Sequence, residues 1–140
     1  MPHSPSPVSV QSLQDLLSAW FAPWVQGLGM QVESFADGEV TLRLPQSDQL
    51  ARVGGMLCGQ AMMSAADTAM VLAIVSQLGE RHMTTVQQNT SFLKPISGQD
   101  ARVTARVVRA GKNLVFGEID ISGATDGRSV CRASTTYALL

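Results

Sequence analysis

Gly59-Gln60-Ala61-Met62-Met63-Ser64-Ala65-Ala66-Asp67-Thr68-Ala69-Met70-Val71-Leu72-Ala73-Ile74-Val75-Ser76-Gln77-Leu78 has no proline, no glycine after its first position, and one charge, Asp67. Alanine, methionine and leucine are strong helix formers, and here apolar side chains fall on every side of the helical wheel, which is the pattern of a helix enclosed by its own protein. Gly79 follows and suits the residue just past a helix end. The length and apolar content of 54–79 also approach those of a bilayer span. Asp67, Gln60 and Gln77, with no flanking basic and aromatic anchors, favour a buried helix and no membrane.

The flanks supply what encloses the helix. From Ser9 or Ser12 to about Trp24, the residues Leu13, Leu16, Leu17, Trp20, Phe21 and Trp24 recur at helical spacing after a capping serine, and Pro23 limits the end. Gln31 to Phe35 and Glu39 to Leu44 are β-prone and separated by Ala36-Asp37-Gly38, where Asp-Gly supplies the positive φ values of a tight hairpin. After the helix come four more β-prone runs, Thr84 to Leu93, Ala101 to Arg109, Val115 to Ser122 and Ser129 to Ala138, joined by turn residues. In Ala101 to Arg109, Val103, Ala105 and Val107 alternate with Arg102, Thr104 and Arg106, so one face is buried. Runs of strands, not alternating βαβ units, predict an α+β fold: an antiparallel sheet of five to six strands wrapped round the long central helix, with an N-terminal helix. Residues 1–8 read as a flexible tail and 9–140 as one domain.

With 140 residues, 15% charged, 45% apolar and a formal net charge of −1, the chain has enough apolar surface for one core. It shows no clustered basic face for nucleic acid. Low charge with high apolar content suits self-association. Cys58 and Cys131 are far apart in apolar surroundings, so neither a disulfide framework nor a metal site is expected and a reducing compartment is the default. The stretch MPHSPSPVSV has no basic region and no apolar core, so it reads as a tail and not a signal peptide, and a cytoplasmic location is expected.

Asp67 is the residue that asks for a reason, because a charge inside an apolar helix is costly unless it is paired or faces a cavity. Two readings stand: a structural carboxylate at an interface, or a general base or nucleophile tuned by burial. Gly59 lies in the first turn, where free N–H groups and the helix dipole can hold a developing oxyanion. Eight residues at 1.5 Å rise separate the two by about 12 Å, too far to act on one carbonyl. Donor and carboxylate therefore come from two copies of the helix, as in a symmetric dimer.

At these residues the chain resembles a known family. The run Gly54 to Met70, GGMLCGQAMMSAADTAM, is similar to the helix signature of PaaI-type (phenylacetic-acid-degradation) hotdog thioesterases, which carry His-Gly-Gly and an aspartate nine residues after the histidine. Thr85 to Pro95, TVQQNTSFLKP, is similar to the family's Thr-Val-Asp…Phe-Leu-Arg-Pro strand, and the likeness continues through Val107 to Lys112 into the last strands. It covers nearly everything after the N-terminal helix. Two positions depart: Cys58 stands at the family's histidine, and Arg52 at the asparagine six residues before it.

The resemblance implies a hotdog fold and hydrolysis of a small or medium acyl- or aryl-acyl-CoA thioester to free acid and CoA. It implies that the Gly59 N–H polarises the thioester carbonyl, that Asp67 activates water or attacks, and that Thr85 orients the water or the carboxylate. Cys58, Gln60, Arg52 and Met63 are expected to line the substrate site, and Arg109 and Lys112 to meet CoA phosphates, with Arg102, Arg106 and Lys94 as further candidates. Thiolate is a good leaving group, so no cofactor beyond the substrate's CoA is expected. The implied assembly is a homodimer that pairs into a dimer of dimers. A catalytic Cys58–histidine pair is a competing reading, with only His3 and His82 available. The alternative function is a hotdog module that binds acyl-CoA without cleaving it; a hotdog dehydratase is a third, weakened by the absence of a histidine on the helix.

Overall fold

The computed structural model describes residues 7–140. Most of the expected tail, 1–6, lies outside the described residues. The elements run α1 (Val10–Ala19), α2 (Pro23–Gln26), β1 (Gln31–Ala36), β2 (Glu39–Leu44), a 3-10 turn (Asp48–Leu50), α3 (Gly59–Leu78), β3 (Met83–Phe92), β4 (Ala101–Ala110), β5 (Leu114–Gly123) and β6 (Ser129–Leu139). All six strands form one antiparallel sheet in the order β1-β2-β4-β5-β6-β3, with α3 against it: the hotdog arrangement.

α3 begins and ends where its sequence says, closed by Gly79 at φ 81°, whose N–H bonds the Val75 carbonyl. Ala65, Ala66, Ala69, Met70, Leu72, Ala73 and Ile74 are fully buried in it, facing Val40 and Leu42 of β2, Val103 and Ala105 of β4 and Ile121 of β5 in one core. Each such aliphatic side chain larger than alanine contributes about 1.5–3 kcal/mol by leaving water. The small residues let the sheet come close, and Gly117 on β5 is the tightest point: a Cβ there would overlap the Met70 side chain and lie 3.0 Å from the Arg106 carbonyl oxygen. Gly117→Ala is expected to cost about 1–3 kcal/mol of stability by overpacking, read as a lower midpoint in chemical denaturation. An unchanged midpoint would mean that Met70 moves aside freely.

Two sequence expectations are corrected. The N-terminal helix does not run to Trp24 but stops at Ala19, because Pro23 bars the residue before it from the helical region. Ala22 is extended at φ −59°, ψ 150°, and Pro23 starts the separate α2. Leu13, Leu16 and Leu17 are buried as expected, whereas Trp20 is 39% and Trp24 66% exposed. In the β1–β2 hairpin only Gly38 takes a positive φ, 80°; Asp37 does not. The start of α1 follows its sequence, with Ser9 and Ser12 forming a reciprocal capping box.

The two sheet edges are treated differently. At β1, the Gln14 side chain of α1 accepts from the Val32 N–H at 2.7 Å and donates to the Met30 carbonyl at 3.3 Å, filling the place of a neighbouring strand. At β3, the outer edge carries no such cover among the described residues.

Candidate active site

The face of α3 left open by the sheet lies beside β3. Gly59, Met63, Asp67 and Val71 follow one another at i+4 spacing along it, so they form one stripe. β3 meets them in antiparallel order. The Phe92 ring lies 3.3 Å from where a Gly59 Cβ would stand, Gln88 Nε2 donates to the Met63 carbonyl at 3.2 Å, and Thr85 Oγ1 donates to Asp67 Oδ1 at 2.8 Å. Thr85 and Gln88 are three residues apart and in a regular strand would point to opposite faces. A β-bulge at Val86, between Thr85 and Gln87 in the register with β6, inserts the extra residue that turns both toward the helix.

Asp67 is half-buried. Tyr137, directly across from Thr85 on β6 and only 1% exposed, makes a very short hydrogen bond to the same Oδ1, and its hydroxyl also lies 2.9 Å from the Asp67 main-chain oxygen. Burial, then the negative charge of Asp67, hold the Tyr137 phenol well above its ordinary range, so it remains a proton donor. Two hydroxyls thus fix Oδ1, while no protein donor reaches Oδ2 among the described residues. Among those residues the only buried side-chain polar atom without a partner is Gln88 Oε1, so Oδ2 is open to solvent. A fixed carboxylate with one free oxygen facing water can take a proton or form a bond at that oxygen.

The start of α3 is set by the loop before it. Cys58 N–H bonds the Leu50 carbonyl at 2.9 Å, Leu57 N–H the Ile96 carbonyl at 2.8 Å, and a turn closed by Arg52 N–H on the Met56 carbonyl contains Gly54 and Gly55, both at positive φ. The N-cap, Cys58, makes no side-chain cap bond, so the first N–H groups of α3 are without an intrahelical or capping partner.

Thr85 is therefore beside Asp67, and Met63 (44% exposed) lies one turn from it. Gly59, half-buried Cys58 and exposed Gln60 sit at the far N-terminal end, and Arg52 is exposed in the preceding turn. Arg109 pairs across from the exposed Phe116, on the face of the sheet away from α3, and Lys112 lies in the β4–β5 turn; within one chain neither meets Asp67. Arg102 and Arg106 are engaged by Glu33 and Glu118. His82 stands past the other end of α3 from Cys58, a full helix length away, so the chain forms no Cys–His pair with it; His3 lies outside the described residues. Sequence reasoning missed Tyr137 and Gln88, whose roles depend on cross-strand register.

Both cysteines are free. Burial, then the nearby charge of Asp120, push the Cys131 thiol up to about 11. At pH 8 its thiolate is scarce, and iodoacetamide is expected to leave Cys131 unmodified in the folded protein, as mass spectrometry of digested peptides would show. Labelling of Cys131 before unfolding would contradict the buried position.

A six-stranded antiparallel sheet packed on one long central helix places the chain in the hotdog class, and Asp67 lies where that helix meets the edge strand. Within that class, residues 54–130 match the sequence profile described as the thioesterase superfamily, and the chain belongs to that family. A Halobacterium salinarum protein provisionally named an esterase is 34% identical over 71% of this chain and 69% of its own length; one from Thermoplasma volcanium is 26% identical over 81% and 83%. Among solved structures, a thioesterase family protein from Silicibacter pomeroyi superposes with a TM-score of 0.83 at 25% identity, covering 93% of this chain and 96% of that one. The E. coli PaaI protein shares the fold, with a TM-score of 0.80 at 19% identity over 94% and 95% of the two chains.

Proposed function

We propose that the protein is an acyl-CoA thioesterase acting on small or medium acyl or aryl-acyl groups at a site shared by two copies of the chain. The observation that carries this reading is Asp67, held at one oxygen by Thr85 and Tyr137 and open at the other.

A water at Oδ2 gives its proton to Asp67 as its oxygen adds to the thioester carbonyl carbon. The resulting oxyanion is held by the N–H of Gly59 of the partner subunit, where the helix end favours negative charge. The tetrahedral intermediate collapses, the C–S bond breaks, and CoA thiolate leaves and takes up the proton. Thr85 and Tyr137 keep the carboxylate aimed, which is the positioning that makes such a step fast. No cofactor other than the substrate's own CoA is needed.

The shared site rests first on the separation of Gly59 and Asp67, roughly 12 Å along α3 by helix rise. It rests also on the uncovered β3 edge, which is suited to pairing with its symmetry mate. In this reading dimers pair further into a dimer of dimers, Arg109 or Lys112 meets CoA phosphates, and the free cysteines fit a cytoplasmic location. Free-thiol release from a panel of acyl-CoA esters tests the proposal. Release above background is the expected result; tight acyl-CoA binding without release would replace it with the binding-module alternative.

A further inference from the structure

We infer that the cavity between the end of α1 and the start of β3 holds the acyl end of the substrate, and that Trp20 and Phe21 make the site favour a bulky apolar acyl terminus, a ring or a medium chain, over acetyl. This rests on the reading of the chain as an acyl-CoA thioesterase acting at Asp67.

The cavity measures about 390 Å³, and its walls include Trp20, Phe21, Val71, Arg81, His82 and Met83. That volume is within the range of small-molecule sites. Two of the lining residues continue the surface that carries the carboxylate. Val71 is four residues beyond Asp67 and shares its helix face, about 6 Å further along the axis. Met83 is two residues before Thr85 and shares its face of β3. A group bonded to a carbonyl at Asp67 reaches this cavity by running along the same stripe.

The lining suits an apolar guest. Trp20 is placed at helical spacing with Leu13, Leu16 and Leu17, yet the core does not cover it: 39% of it stays exposed, with half-buried Phe21 beside it. Large aromatic faces left uncovered beside a cavity are contact area for a ligand, and the Met83 thioether adapts to irregular shapes. Arg81 and His82, both exposed and without an ion pair among the described residues, supply the polar part of the wall. Two other cavities among the described residues lie elsewhere. One is on the outer sheet face among the paired charges Arg106, Glu118, Asp120 and Arg132; the other lies under α1 by Gln14 and Thr68.

The test compares kcat/KM for phenylacetyl-CoA, hexanoyl-CoA and acetyl-CoA. Wild type is expected to favour the two bulkier esters. Trp20→Ala is expected to lower the bulky-to-acetyl ratio at least about tenfold, the scale on which an apolar pocket discriminates. Val71→Phe fills the cavity from the rigid helix and is expected to lower the same ratio even if Trp20→Ala fails to fold. A wild type without preference for bulky esters, or an unchanged ratio in folded variants, overturns the inference.

Absence of thiol release from every ester would sink the thioesterase reading by itself. The cavity is then judged by Trp20 fluorescence in Trp24→Phe protein. Emission altered by phenylacetyl-CoA but not by CoA upholds the acyl site, and emission indifferent to both overturns it.

Discussion

Asp67→Asn is expected to lower kcat for acyl-CoA hydrolysis at least a hundredfold, about 2.7 kcal/mol or more, with folding unchanged. The amide preserves the volume and can still accept the Thr85 and Tyr137 hydrogen bonds at its oxygen. What it loses is a basic atom at the free position, so water keeps its proton. Because substrate contacts are retained, KM is expected to change much less than kcat, the pattern of an interaction used only in the transition state. Tyr137→Phe removes one hydroxyl and leaves Thr85 in place, so a smaller loss is expected, again in kcat. Hydrolysis that survives Asp67→Asn would remove the aspartate from the mechanism.

Gly59→Pro is expected to cost about 10²–10³ in kcat, the scale seen on removing one oxyanion donor. Gly59 is the first helical residue after Cys58, a position where proline is well tolerated because its N–H has no intrahelical acceptor. The exposed Phe92 ring has room to shift from the added carbons. The substitution therefore deletes the donor and spares the helix. Mixing it with Asp67→Asn provides the sharper measurement. In a mixed dimer one site combines the intact Asp67 of the proline variant with the intact Gly59 of the asparagine variant. Equal mixing with free exchange makes half the dimers mixed, each with one good site of two, so activity is expected to recover to about a quarter of wild type. Two inactive variants that stay inactive together would place donor and carboxylate in the same chain, or Gly59 outside the chemistry.

The fold is legible where the physics is local. α3 announces itself because apolar residues fall on every side of its helical wheel and Gly79 stops it, and the strands because β-prone runs are cut by turn residues. Pro23 signals a limit to α1, but propensity alone does not show that the restriction on Ala22 ends the helix three residues earlier, at Ala19. Asp67 stands out as a lone charge, and Thr85 comes from a resemblance. Tyr137 does not stand out, since an aromatic in a strand reads as core until register sets it opposite Thr85. Gln88 is hidden for a related reason: the Val86 bulge reverses the alternation that a sequence reader must assume.

The amide of Gln14 has a consequence for stoichiometry. A sheet with two receptive borders is a monomer for polymerisation, since each added copy offers a fresh border to the next. By imitating a peptide unit beside Val32 and Met30, Gln14 blocks one border and, among the described residues, leaves β3 as the border open to a further strand. In the proposed dimer, two such borders joined about a two-fold axis would extinguish each other, so strand-to-strand growth is expected to stop at a pair instead of propagating as a ribbon.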